Sequence, residues 1–263
     1  MLYRGHSVLS EVKSIFALFP FWGSFAWEDI KTTYRRTLFG VLWITLTFLA
    51  FLSVKLLIFK PLQSSAGIGL FTIYLALGFA IWQYIATVLS SSNTFLSFEN
   101  WIRNDTIPIA GYPIVVLLRC QFNFVFQVFA VLIIISFFGV QFSWAMLTLI
   151  PAYIILVIMS YFTLLFFGVI SLRYRDIAQV VQTFTRMGFF LSPVFWMPEN
   201  MGPLMKYLWW NPAAHFIWIF RDPVMYGIIP YDSWIFVLTV TAITTIAAIV
   251  SYRVYRRQLV FWF

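Results

Sequence analysis

Residues 144–170, WAMLTLIPAYIILVIMSYFTLLFFGVI, carry no charged side chain and are long enough to cross a bilayer as one helix. Five further stretches, each about twenty residues long, are also predominantly apolar and long enough to cross a bilayer. The six stretches are 38–59, 67–90, 115–138, 144–170, 178–196 and 234–252. Helices are favoured in hydrocarbon because each one satisfies its own backbone hydrogen bonds. The sequence therefore predicts an all-α integral membrane protein with six transmembrane helices.

The basic residues outside these stretches, together with Arg119 near the start of the third stretch, collect in alternate connections, which predicts the orientation of the chain. Three lie on one side, namely Lys60, Lys206 and Arg221. Twelve lie on the other side: Arg4, Lys13, Lys31, Arg35, Arg36, Arg103, Arg119, Arg173, Arg175, Arg253, Arg256 and Arg257. Positive charge concentrates in the cytoplasmic connections of membrane proteins, so both termini are predicted to be cytoplasmic.

The composition leaves no room for a soluble domain. Hydrophobic residues make up 62% of the chain and charged residues 10%, whereas soluble domains carry about 25% charged residues. We therefore expect one domain over 1–263, with a cytoplasmic interface segment at 1–37 and six spans in 38–263. The net charge of +8 suits an anionic inner leaflet of membrane lipid better than nucleic acid. Cys120 is the single cysteine, so neither an internal disulfide nor a cysteine metal site is expected.

Apolar residues recur at helical spacing before the first span. They are Trp22, Phe25, Ala26, Ile30, Tyr34 and Leu38, and polar residues occupy much of the opposite face. This amphipathic pattern predicts a helix that lies along the inner leaflet and turns into the first span near Gly40. The alternative is a simple stop signal, in which Arg35 and Arg36 only anchor the span.

The connection 91–111 combines an apolar stripe with charges of both signs. The stripe is formed by Phe95, Phe98 and Ile102, and its neighbours are Glu99, Trp101, Arg103 and Asp105. A short amphipathic helix of this kind can dock in a groove of a partner protein. The same pattern is compatible with a solvated loop whose aromatic rings dip into the lipid headgroups, and the sequence favours neither interpretation.

The connection 197–233 is predicted to face the outside, yet it is rich in aromatic and aliphatic residues. Five prolines divide it into pieces too short to span: Pro198, Pro203, Pro212, Pro223 and Pro230. Water does not tolerate so much exposed apolar surface. We therefore expect two short helices, about 200–210 and 213–225, that re-enter from the outer side.

Missing motifs argue against several classes of function. No lysine follows a glycine, so a nucleotide-binding loop is not expected, and the two histidines have no metal-ligand neighbours. His215 is expected to be a hydrogen-bonded structural residue. No carboxylate falls within a predicted span, which disfavours an ion-coupled transporter or channel.

Arg186 lies deep in the fifth span, where it either pairs with a neighbouring helix or attracts an anionic substrate group. Many of the aromatic residues are expected in interfacial belts, with a minority from the first, second and fifth spans lining a path.

Four motifs in this order resemble the permease subunits of polysaccharide ABC exporters, most closely the Wzm-type O-antigen exporters. They are WEDIKTTYRRTLFGVLW at 27–43, RYRDI at 173–177, SPVFW at 192–196, and Asn211-Pro212 followed by Arg221 and Gly227. The resemblance implies a homodimer of six-span subunits that works with two separate ATP-binding cassette subunits. ATP and Mg would bind to those partners, so no cofactor, metal or catalytic residue is expected in this chain.

The resemblance also assigns roles to particular segments. It implies an interface helix at about 22–37 and a coupling helix at about 94–106, whose candidate contacts to the ATPase are Phe95, Phe98, Glu99, Trp101, Ile102, Arg103 and Asp105. It implies two gate helices between the fifth and sixth spans, with Met201, Leu204, Trp209, Trp210, Phe216 and Phe220 as candidate external gate residues. No soluble carbohydrate-binding module is expected from the sequence, so recognition of the glycan chain end is expected to lie elsewhere.

The expected function is therefore export of a lipid-linked polysaccharide, an undecaprenyl-pyrophosphate-linked glycan, across the bacterial cytoplasmic membrane. Arg35 and Arg36 are candidates to receive the pyrophosphate headgroup through charge-assisted hydrogen bonds. Export of capsular polysaccharide or teichoic acid is the nearest alternative. A membrane-embedded glycosyl or lipid transferase is an alternative of another class, and it would require acidic or histidine clusters at a membrane face.

Overall fold

The fold is a bundle of α-helices in a computed structural model that describes residues 8–59, 67–104, 107–196 and 205–263. No β-strand occurs in these ranges. The helices are α1 Val8–Ala17, α2 Phe19–Tyr34, α3 Leu42–Phe59, α4 Ile68–Ser90, α5 Thr94–Ser97, α6 Glu99–Asn104, α7 Tyr112–Phe138, α8 Leu149–Arg173, α9 Asp176–Leu191, α10 Met205–Leu208, α11 Pro212–Met225 and α12 Tyr231–Tyr255. Three short 3₁₀ turns lie at Ile109–Gly111, Trp144–Thr148 and Leu259–Phe261.

Within the described ranges, four helical segments are long and apolar enough to cross a membrane. They are Ile68–Ser90, Ile109–Phe138, Trp144–Arg173 and Tyr231–Tyr255. The other two predicted spans correspond to α3 and α9, which have 18 and 16 residues. The sixteen residues of α9 extend about 24 Å, which is less than the hydrocarbon thickness. This helix is short because it begins at Asp176, the last residue of the charged run 173–176, and ends at Leu191, just before Ser192-Pro193.

α4 lies at the centre of the bundle and packs against α3, α7, α8, α9 and α11. A polar network ties it to its neighbours inside the apolar core. The Tyr84 hydroxyl donates to Ser160 Oγ of α8 at 2.9 Å and accepts a hydrogen bond from Gln121 of α7. Tyr153 of α8 donates to Gln121 Oε1 at 2.8 Å. Hydrogen bonds between helices hold a bundle together where lipid provides no competing partner.

α2 packs against α7 rather than standing free of the bundle. Its buried residues are spaced by one helical turn: Trp22, Ala26 and Ile30. Asp29 Oδ2 accepts a hydrogen bond from Arg119 Nη1 of α7 at 3.0 Å. The helix covers Phe19–Tyr34 and not the predicted 22–37, because the chain is extended at Arg35 and has a positive φ of 64° at Arg36. The predicted turn near Gly40 is present, since Gly40 has a φ of 53°.

The α2–α7 contact depends on a glycine, which gives a test of this packing. A β-carbon at Gly111 would lie about 2 Å from the Trp22 ring, so Gly111→Ala must displace the indole. We expect the free energy of unfolding to fall by about 1–3 kcal/mol, the usual cost of overpacking. The measurement is the midpoint of thermal unfolding of the detergent-purified protein.

The matched control is Gly23→Ala on α2, where an added β-carbon meets nothing within 4 Å. Alanine is the better helix former by about 1 kcal/mol, so this variant should be neutral or slightly more stable. Equal unfolding midpoints for the two variants would contradict the packing described for Trp22.

Candidate functional site

A groove of about 720 Å³ runs along α3, α4 and α9. Its walls combine flat aromatic surface with hydroxyl and amide groups and with two cations. The lining residues are Tyr34, Trp43, Ile44, Thr47, Phe48, Phe51, Lys55, Phe79, Trp82, Gln83, Thr87, Asn123, Gln127, Arg186 and Phe189. Aromatic residues of the first, second and fifth predicted spans therefore do line one cavity. Such a surface offers stacking to apolar faces and hydrogen bonds to hydroxyl groups, which suits a polyhydroxylated ligand.

Lys55 of the first predicted span and Arg186 of the fifth both line this groove. Lys55 Nζ lies 3.3 Å from the centroid of the Phe79 ring and 4.3 Å from that of Phe189, so two aromatic faces hold its charge. Phe79 in turn stacks on Phe48 at 5.3 Å. Arg186 is exposed to the groove and forms no salt bridge with any residue of the described ranges. The structure thus gives no support to the interpretation of Arg186 as paired with a side chain of a neighbouring helix.

The groove begins where α2 ends. Tyr34, the last residue of α2, lines the groove and donates a hydrogen bond to Asn123 Oδ1 at 3.3 Å. Burial raises the pKa of the Tyr34 phenol, and the Arg119 charge opposes this rise. Arg35 and Arg36 follow immediately and are exposed. The structure therefore places the two candidate headgroup residues in the turn beside a groove-lining residue.

The predicted coupling segment is described as far as Asn104, so Asp105 lies outside the described residues. Its apolar stripe is buried within this chain. Phe95 packs on α8 at Gly168, where an added β-carbon would lie 3.2 Å from the ring. Phe98 lies 5.2 Å from Tyr112 and 5.7 Å from Phe25 of α2. Ile102 is likewise buried, so the stripe fixes the segment to its own bundle and is not the surface open to a partner.

The opposite face of this segment remains accessible. Trp101 is 48% exposed and its ring lies 5.0 Å from that of Phe25. Glu99 and Arg103 form an ion pair at 2.9 Å, one helical turn apart, with both side chains partly open to solvent. Because Phe25 contacts both Phe98 and Trp101, the coupling segment and α2 form a continuous surface. The sequence indicated each helix separately but gave no sign of this aromatic contact.

The connection 197–233, which is predicted to face the outside and is called the outer segment, is described from Met205 onward. The candidate gate residues Met201 and Leu204 therefore lie outside the described residues. Trp209 and Trp210 are exposed, whereas Phe216 and Phe220 on α11 are buried. The gate candidates therefore fall into two groups, one accessible and one part of the core. α11 begins at Pro212, capped by Asn211, whose Oδ1 accepts a hydrogen bond from the Ala213 amide at 3.0 Å.

His215 is fully buried and is a hydrogen-bonded structural residue, as the sequence predicted. Its Nε2 lies 3.1 Å from the Trp209 carbonyl oxygen, which can only accept, so Nε2 carries the proton. Nδ1 then accepts from the Ser233 hydroxyl at 3.0 Å. Phe236 stacks on the ring with centroids 4.1 Å apart. Burial lowers the pKa of His215 and so favours its neutral form.

Arg221 joins the outer segment to the end of the fifth predicted span. It is 1% exposed, donates to the Pro193 carbonyl at 2.7 Å and lies 3.8 Å from the centre of the Tyr74 ring on α4. The Tyr74 hydroxyl donates to the Trp196 carbonyl at 2.9 Å. Two of the motifs that carried the resemblance, 192–196 and Arg221, thus meet in space. Sequence reasoning missed Tyr74, although a cation in an apolar segment requires such a partner.

Two titratable groups of α11, His215 and Asp222, make opposite contributions to the pH dependence of stability. Burial lowers the pKa of His215, so its stabilisation is present above the unfolded pKa of 6.5 and is lost as the pH falls. Burial raises the pKa of Asp222 from 3.8 to about 6, so its stabilisation is present at low pH and is lost as the pH rises through 6. Between pH 7 and pH 5 the two contributions oppose each other.

We expect His215→Gln to remove the loss of stability on acidification, because a glutamine can hydrogen-bond but does not titrate. Asp222→Asn should make that loss steeper, since it removes the opposing contribution. Thermal unfolding midpoints of the two variants and the unmodified protein at pH 5, 6 and 7 measure both slopes. A change of the same sign in both variants would contradict these assignments.

Comparison with known proteins identifies relatives of this chain, although no family model matches it. Two proteins of Klebsiella pneumoniae, both named O-antigen export system permease protein RfbA, are similar to it. One is 26% identical over 222 residues, which are 81% of this chain and 83% of the relative. The other is 25% identical over 213 residues, which are 78% and 80%. These similarities confirm the resemblance that the four motifs indicated.

Proposed function

Since the chain resembles O-antigen export permeases over about four fifths of its length, we propose that it is the membrane subunit of an ATP-driven polysaccharide exporter. Its substrate would be a glycan linked to undecaprenyl pyrophosphate, moved across the bacterial cytoplasmic membrane. The observation that carries this proposal is the groove along α3, α4 and α9. Its aromatic rings and its Gln83, Asn123 and Gln127 amides match the two faces of a sugar, apolar CH surface and hydroxyl groups.

The proposal includes six spans, with α3 and α9 added to the four longer helices. Both are short and both contribute groove residues, including Lys55 and Arg186. Large exposed apolar side chains on these two helices support a partner copy or lipid there, among them Leu57, Phe184 and Phe190. A second copy of the chain would face the groove and close it into a path. The excess of basic residues on one side of the membrane supports a cytoplasmic position for both termini.

Two ATPase subunits would drive the movement, with ATP and Mg bound on those partners. The candidate docking surface is the accessible face of α5 and α6, with Trp101, Glu99 and Arg103. Phe25 of α2 contacts Trp101 of α6, and α2 ends at Tyr34, which lines the groove. A movement of α6 would therefore be transmitted through α2 to the inner end of the groove.

The outer segment is proposed as the gate. α10 and α11 would re-enter the outer leaflet, with Trp209 and Trp210 at the accessible end. Arg221 fixes α11 to Pro193 and Tyr74, so the moving part would be α10 with the exposed Trp209 and Trp210.

The whole proposal is tested by reconstituting the chain with its ATPase in proteoliposomes that contain undecaprenyl-pyrophosphate-linked glycans. ATP-dependent transfer of an O-antigen-type glycan to the far leaflet is the expected result. Transfer of capsular or teichoic acid polymers alone would reassign the substrate. Formation of a new glycosidic or lipid linkage without ATP would support the transferase alternative and contradict export.

Exchanging the charges of the Glu99–Arg103 ion pair distinguishes an effect on the contact with the ATPase from an effect on folding. The double variant Glu99→Arg with Arg103→Glu keeps an ion pair one turn apart, so stability should change by less than about 1 kcal/mol. The charges presented to the ATPase are reversed, and we expect ATP-driven export to fall roughly tenfold. Export rate, ATPase rate and unfolding midpoint are measured together.

The matched control exchanges Glu28 and Lys31, an ion pair at 2.8 Å on the exposed face of α2. This control should retain coupling. If the α2 exchange uncouples the complex and the α6 exchange does not, the assignment of the main ATPase contact to 94–106 is wrong.

Arg35→Lys tests whether Arg35 receives the headgroup. Lysine keeps the charge that anchors the span but cannot form the two parallel hydrogen bonds of a guanidinium with a phosphate. We expect normal insertion and ATPase binding but slower export, by roughly tenfold for the loss of one good charged contact. Arg257→Lys, exposed near the end of the chain, is the control. Full export by Arg35→Lys would leave anchoring as its only role.

A further inference from the structure

Lys55 and Arg186 place two positive charges in the groove, well inside the bilayer. Lys55 follows the start of α3 by about 20 Å of helix and Arg186 follows the start of α9 by about 15 Å. Both α-helices enter from the inner side, so these cations lie far from the inner headgroups in hydrocarbon about 30 Å thick. A charge at this depth is costly, so it requires a partner or a water-filled path.

Within the described part of the chain, no opposite charge lines the groove. The lining residues of the described groove include no Asp or Glu. The carboxylates of the described ranges stand near helix ends or on the non-spanning helices, at Glu11, Glu28, Asp29, Glu99, Asp176, Asp222 and Asp232. A second copy of the chain facing the groove would add the same two cations, no carboxylate from α3, and from α9 only Asp176, which lies about 15 Å of helix away from Arg186. Dimer formation would therefore increase the positive field.

The position of Lys55 shows that its charge is directed into the groove. Phe59, the end of α3, is four residues or about 6 Å away, so the lysine stem is long enough to extend its ammonium to the outer interface. It lies instead over Phe79 and near Phe189. Phe79 follows the start of α4 by eleven residues, about 16 Å of helix, so this contact draws the ammonium inward.

We propose that Lys55 and Arg186 form a mid-membrane subsite for an anionic group of the cargo, a phosphate or a carboxylate. The inference rests on the proposed export function and adds to it a substrate class, since the cargo must bring negative charge past this depth. Arg186 would pair with the anion through its guanidinium fork, and Lys55 would add a point charge fixed between two rings. Trp82 and the groove amides would hold the neighbouring sugars.

The test is a binding titration of the full-length chain in lipid nanodiscs with three probes. They are inorganic pyrophosphate, a glucuronic acid hexasaccharide and the neutral maltohexaose. We expect at least one anionic probe to bind about tenfold more tightly than maltohexaose, a difference of about 1.4 kcal/mol. Preference for pyrophosphate identifies the carrier headgroup as the source of the anion, and preference for the acidic hexasaccharide identifies an acidic sugar.

The double variant Lys55→Met with Arg186→Met should lose this preference, whereas Arg186→Lys should retain part of it. Arg253→Met is the matched control, because Arg253 is exposed on the last turn of α12 and does not line the groove. Equal binding of all three probes, or an anion preference that survives the double variant, would overturn the inference.

Two further measurements keep the outcome decisive. If the double variant does not fold, Lys55→Arg and Arg186→Lys are titrated beside the unmodified chain at low and high salt, where anion binding should weaken as screening increases. Salt-independent binding would overturn the subsite. Export by the complete complex is followed separately. A complex that exports while its groove variants keep the anion preference refutes only the subsite, and a complex that exports no glycan refutes the proposed function.

Discussion

Hydrocarbon provides no hydrogen bonds, so each polar group that this chain brings into the bilayer must be held by another part of the chain. The network of Tyr84, Ser160, Gln121 and Tyr153 meets this requirement at the centre of the bundle. Arg221 meets it at the outer end with a backbone carbonyl and an aromatic face. Against this background the groove is the exception, because its amides, hydroxyls and cations face open space. Such a surface is stable only where water or a polar cargo wets it.

The helices could be predicted because their length and apolar composition are local properties of the sequence. Residues 67–90 became α4 within one residue, and the predicted helix at 213–225 became α11 at Pro212–Met225. By length alone, α3 and α9 are less clearly membrane-spanning, since the turn at Arg36–Gly40 shortens α3 and the break at Ser192-Pro193 shortens α9. The site was predictable only in part. The sequence indicated which spans supply aromatic rings, but it did not indicate that Lys55 lies between two of them.

The coupling segment shows what an apolar stripe in a sequence cannot reveal. An apolar stripe at Phe95, Phe98 and Ile102 indicates that one face is covered, but it does not identify what covers it. In the structure the cover is the chain's own α2, α7 and α8. The accessible surface therefore consists of the residues between the stripe positions, and Trp101 is prominent among them.

Phe25 joins segments that are more than seventy positions apart in the sequence, because it contacts both Phe98 and Trp101. If α6 docks on an ATPase as proposed, a substitution that adapts α6 to a different ATPase alters the surface on which α2 rests, and the converse also holds. Residues in direct contact do not contribute independently to stability. Adaptation to a new ATPase would thus select matched pairs of α2 and α5–α6 sequences. Chimeras between exporters would need to exchange both segments together to preserve the aromatic contact.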